Sequence, residues 1–105
     1  MAILYVTEVA SLRGAGYPNA LPIPANAAQA IATSATSAQS AAFQNNTTLL
    51  RINNDSSSAV SLAFGTNPTA VISTGIRMGA NTTEYFDISA QEGDGWKVAA
   101  VVTTL

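Results

Sequence analysis

The chain contains neither cysteine nor histidine among its 105 residues. Without thiols there is no disulfide and no thiolate nucleophile, and without imidazole the common general base of neutral pH is missing, together with nearly all structural zinc sites. Charge is scarce as well. Asp, Glu, Lys and Arg make up 10% of the residues, against roughly 25% in an average soluble domain. The four basic residues, Arg13, Arg51, Arg77 and Lys97, are scattered along the chain and outnumbered by six acidic ones. A nucleic-acid groove needs clustered cations to neutralise phosphates, so no nucleic-acid partner is expected. No segment approaches the ~20 apolar residues of a membrane span. Met1 to Val6 is apolar but has no basic flank and soon meets Glu8, so neither a membrane partner nor a signal peptide is expected, and synthesis and first folding are placed in a cytoplasm.

The missing charge is replaced by Ala, Ser, Thr and Asn. With 48% apolar residues and a net charge of -2, the composition is the reverse of a disordered chain's, and residues 1–105 are expected to form one domain around one modest core. Weak net charge leaves little repulsion between copies, which favours self-association or assembly on a partner.

Period-2 alternation dominates what remains. Leu49 to Ala70 holds two short apolar runs joined by Asn53-Asn54-Asp55-Ser56-Ser57-Ser58 and closed by Gly65-Thr66-Asn67-Pro68, and it reads as a β-hairpin. Leu50 and Ile52 share one face of the first run, and Val60, Leu62 and Phe64 share one face of the second. Ala2 to Val9 makes a strand with Leu4, Val6 and Glu8 opposite Ile3, Tyr5 and Thr7, and Glu8 is expected to bring its end to solvent. Ala10 to Asn26 carries Gly14, Gly16, Pro18, Pro22 and Pro24 and reads as an extended arm or a long loop. Ala27 to Phe43 is rich in Ala, Ser and Thr. Two short strands, Gln29 to Thr33 and Ser40 to Phe43, are preferred there to a helix, because no helical face of large residues is present. Ala70 to Met78 reads as a strand bent at Gly75. Thr82 to Ser89 should send Phe86 and Ile88 inward. Trp96 to Thr104 is apolar on both faces, as a central or doubly covered strand would be. The expected fold is all-β, a small antiparallel β-sandwich or jelly roll of about seven or eight strands with a Pro-rich arm near its N-terminus.

Chemistry finds little support. The glycines form neither GxGxxG nor a phosphate loop. Glu92-Gly93-Asp94 lacks the spacing of a calcium loop, so no metal is expected. Glu84 and Asp87 fall on opposite faces of one strand, which separates them as a catalytic pair. Trp96, Tyr85 and Tyr17 are open to two readings, a sugar-stacking platform or a core lid and interface anchor. The expected protein is not an enzyme and takes no cofactor.

MAILYVTEVASL at the start, SAAFQNNTTLLRINNDSSSAVSLAFGTNPTA in the middle, Arg77-Met78-Gly79-Ala80-Asn81-Thr82-Thr83-Glu84-Tyr85-Phe86 and the closing WKVAAVV resemble a group of small virion proteins of tailed bacteriophages and prophages. The resemblance implies a capsid decoration, or cement, protein: made in the bacterial host cytoplasm, located on the capsid surface of the virion, bound to the major capsid protein and self-associating, with a trimer favoured at a local threefold axis. Tyr17, Leu21 and Ile23 in the arm, with Tyr5 and Trp96, are the residues expected to contact the partner. A carbohydrate-binding head-fibre or tail module and a head-tail connector or tail-completion protein are the alternatives.

Overall fold

The computed structural model describes residues 2–9, 27–44, 47–73, 75–88 and 95–103. The segment Ala10 to Asn26, with Tyr17, Leu21 and Ile23, therefore lies outside the described residues, as does Glu92-Gly93-Asp94. Eight strands are described and no helix: β1 (Ile3–Val9), β2 (Ala27–Ala32), β3 (Ala38–Gln39), β4 (Leu49–Asp55), β5 (Val60–Gly65), β6 (Ile76–Met78), β7 (Thr83–Asp87) and β8 (Lys97–Val102). They form two four-stranded antiparallel sheets in the orders β2-β1-β4-β7 and β3-β8-β5-β6, here called sheets A and B.

The pairing is nested. β5 pairs with β6, β4 with β7 and β3 with β8, as in one long hairpin folded at the β5–β6 connection. β2 needs a partner beyond β8 to continue this series, and β1 supplies it. Rolling the ribbon brings β4 against β1 and β5 against β8 and divides it into two sheets. This is a jelly-roll winding, with β1 in the position that a last strand would occupy.

Alternation places the core. Leu4 and Val6 of β1, Leu50 and Ile52 of β4, Val60 and Leu62 of β5, and Val98 and Ala100 of β8 turn inward, and each is fully buried. Ile31, Phe43, Met78 and Ile88 complete the cluster, and Phe64 of sheet B meets Phe86 of sheet A with ring centroids 5.4 Å apart. Ala27 to Phe43 thus contributes strands rather than a helix. The second strand of that segment is shorter and earlier than expected, at Ala38–Gln39, while Ser40 and Phe43 still donate their backbone N–H groups to Val98 O and Trp96 O at 2.8 Å.

Leu49 to Ala70 is not a hairpin. β4 belongs to sheet A and β5 to sheet B, so the polar stretch between them arches from one layer to the other. Its two apolar faces meet across the core instead of lying side by side.

The expected strand from Ala70 also changes form. Among its described residues only Ile76–Met78 pairs with β5, and residues 67–71 fold back over the outer face of sheet B. Gln39 Nε2 donates to Asn67 Oδ1 at 2.9 Å and to Pro68 O at 2.7 Å, Ala70 N donates to Ser37 Oγ at 2.9 Å, and Ser61 Oγ donates to Val71 O at 2.8 Å. Ala70 is buried there with Ala99 and Val101 of β8, against Ala63 of β5. This is why β8 is apolar on both faces: it is central in its sheet and covered on both sides.

Candidate functional site

Among the described residues no group of three or more Asp and Glu side chains is gathered closely enough to hold a metal ion. The features that bear on function are two buried polar centres and the apolar side chains left outside.

The first centre is Glu8. Its position in the β1 alternation sends it inward with Leu4 and Val6, and it is 2% exposed, which overturns the expectation that it brings the strand end to solvent. A buried carboxylate needs donors. Thr47 Oγ1 and Gln44 N each donate to Glu8 Oε1 at 2.8 Å. Thr47 is itself buried, and Thr48 N donates to Val9 O at 3.1 Å, so the approach to β4 is stitched to the end of β1. Such a carboxylate fixes a chain crossing.

Asn54 is the second centre. It is fully buried near the end of β4, and its Nδ2 donates to Ser58 O and to Gly79 O, both at 3.0 Å. Asn54 N donates to Thr82 O at 2.8 Å, and Asn81 N donates to Ser56 O at 3.0 Å. Asn81 holds the left-handed conformation that asparagine tolerates, with φ of 53°. The Asn/Asp/Ser stretch is therefore a polar knot that ties the arch to the turn between β6 and β7.

Four large apolar side chains among the described residues stand more than two fifths exposed: Tyr5 at 41%, Val71 at 48%, Ile72 at 42% and Ile76 at 45%. They occupy opposite layers. Val71 and Ile72 lie over the outer face of sheet B, where Ser61 bonds Val71 O, whereas Ile76 pairs with Leu62 and so shares the core-facing side of the β5–β6 ladder at the sheet edge. Tyr5 stands on the outer face of sheet A, in a row with Ala30 of β2 and Asn53 of β4. Arg51 and Tyr85 are opposite one another in the next row.

Of the residues expected to contact a partner, Tyr5 is on the surface, and Trp96 is half-buried with its ring packed against the core cluster. Trp96 lies on the inward side of β8 and Tyr85 on the outward side of β7, so these two rings do not form an exposed pair. Val71 and Ile72 were missed because an apolar run after Pro68 reads as core. The available signal was its bracketing by Pro68 and Gly75, which detaches the run from the sheet. No family model matches the chain, and no curated protein or solved structure is significantly similar to it.

Proposed function

We propose that this chain is a non-enzymatic virion protein that binds the outside of a bacteriophage capsid and stabilises it. The supporting observation is the exposed pair Val71 and Ile72, in a segment fastened to the outer face of sheet B by the hydrogen bonds of Ser37, Gln39 and Ser61, with Ile76 of the edge strand β6 also exposed. A backbone held in this way loses little freedom on docking. Covering the open half of each would stabilise a contact by about 1 kcal/mol per residue, too little for tight binding at one site. A closed shell repeats the same site by symmetry, and a self-associated decoration protein engages several repeats together, so small contacts sum through effective concentration. Binding only to the assembled shell then opposes its disassembly by mass action. The partner is the major capsid protein, and a trimer on a local threefold axis would let one cluster engage three equivalent sites at once.

The test is to add the purified chain to preformed shells that lack it and to count bound copies. Saturable binding of on the order of hundreds of copies per particle, lost in a Val71→Ser, Ile72→Ser, Ile76→Ser variant that melts like the parent, is the expected result. Binding of about a dozen copies at one vertex would instead make the chain a connector, and no binding at all would overturn the reading.

A further inference from the structure

Among the described residues, sheet A ends at β2 and β7, and sheet B ends at β3 and β6. An exposed sheet edge is a template for pairing with another chain, and shortness or charge on the edge opposes it. Three of the four edges carry such protection. β7 exposes Glu84 and Asp87, β6 has three residues with Arg77 exposed, and β3 has two residues. β2 differs from all of them. It runs for six residues, Ala27–Ala32, without a charge or a proline, and among the described residues only β1 forms backbone hydrogen bonds with it.

We propose that β2 is the pairing edge of a homodimer, lying antiparallel to β2 of a second copy across a twofold axis so that the two A sheets become one continuous sheet. Charge selects a second copy as the occupant. Antiparallel self-pairing sets a strand against itself; at β7 that would crowd two copies each of Glu84 and Asp87 into one short ladder, and at β2 it brings no charges together. The pleat is preserved when the axis passes through Ala30, which puts Ala28 opposite Ala32 and Gln29 opposite Ile31. Ala28, Ala30 and Ala32 are the exposed side chains of β2, so the outer surface of the seam is lined by methyl groups with no bulk to clash. Gln29 is held away from the seam, since its Oε1 accepts from Ala41 N at 2.9 Å and its Nε2 donates to Ala41 O at 3.4 Å.

Tyr5 supplies a second, independent observation. It pairs in register with Ala30, so the row crossing the axis reads Tyr5, Ala30, then Ala30 and Tyr5 of the second copy. Two exposed aromatic rings would flank the central alanines and close over them. The pairing is isologous and stops at two. It is separate from a threefold contact, and it does not depend on capsid binding.

The absence of cysteine allows a direct test on the full chain in solution. The protein should sediment as a dimer at high concentration. Ala30→Cys, on the axis, should oxidise rapidly to a disulfide-linked dimer because antiparallel partners fall within disulfide reach, whereas Ser57→Cys, exposed at the arch, should not. Ala30→Glu and Tyr5→Ala should each weaken dimerisation by about tenfold or more, with circular dichroism confirming that the variants are folded. If Ala30→Glu fails to fold, Ala28→Lys makes the same test from the next outward position. A monomer or trimer for the parent chain, equal cross-linking of both cysteine variants or of neither, or a dimer that a folded charged variant leaves intact would overturn the proposal.

Discussion

Ala2 and Val102, near opposite ends of the sequence, are fastened to adjacent residues of one short connection. Thr33 N donates to Ala2 O at 3.0 Å, and Val102 N donates to Ser34 O at 2.8 Å. The start of β1 and the end of β8 therefore converge where the chain passes from β2 towards β3, as the nested pairing requires.

That convergence predicts a tolerated circular permutant. Joining Thr103 to Ala2 by a short flexible linker and opening the chain between β1 and β2 keeps every described ladder and turns β1 into the last strand. The permutant should fold cooperatively, with a midpoint within about 10 °C of the parent's. A chain that loses its cooperative melt would show that the connection between β1 and β2 is needed for the fold.

Glu8 gives a stability test with an internal control. Glu8→Ala leaves the Thr47 hydroxyl without its buried acceptor and should cost about 2 to 3 kcal/mol. Glu8→Gln keeps an oxygen in the same place and should cost about half as much. Urea denaturation of the two variants and of Thr47→Val measures this, and the Glu8→Ala and Thr47→Val losses should fall short of additivity in the double variant.

At Asn54 the sign of the side-chain dipole matters. Its amide donates to two carbonyls from a fully buried position. Asn54→Asp replaces that donor with an acceptor facing Ser58 O and Gly79 O, and it should destabilise by about 3 kcal/mol or more at neutral pH. Asn54→Ala should cost less, about 2 kcal/mol, because it removes the donor without adding a charge. A reversed order in thermal melts would contradict the knot.

Gly75 is required by both space and backbone. Its φ is +97°, and a Cβ there would stand 2.7 Å from the carbonyl oxygen of Leu62. That oxygen belongs to β5, which is held in place between β6 and β8. Gly75→Ala should cost about 2 kcal/mol. Amide exchange should quicken at Val71 and Ile72 before it does in β8, because the covering segment lifts first.

Much of the fold was legible because β strands write their burial at period two. The inward residues of β1, β4, β5 and β8 follow directly from alternation, as does the double coverage of β8. The hairpin error has a physical origin: two amphipathic strands joined by a polar linker show the same pattern whether they share a ladder or face one another across a core. Glu8 was misplaced although its parity pointed inward, since its partner Thr47 is distant in sequence and only the fold brings the two together. Of the candidate contact residues, the alternation put Tyr5 on the outward face, where it stands. The exposure of Ile76 was hidden, because an edge strand leaves even a core-like residue open along one side.

The order of sheet A gives β1 a peculiar mechanical standing. It is the earliest of the eight described strands, yet it lies between β2 and β4 and, among the described residues, is the only strand that touches both through a ladder. Take it away and sheet A falls into a lone β2 and a β4–β7 pair, with a slot whose inner wall is Leu50 and Ile52. Seven residues thus act as the key of an arch, and a free peptide of the same sequence is the one piece shaped to close it.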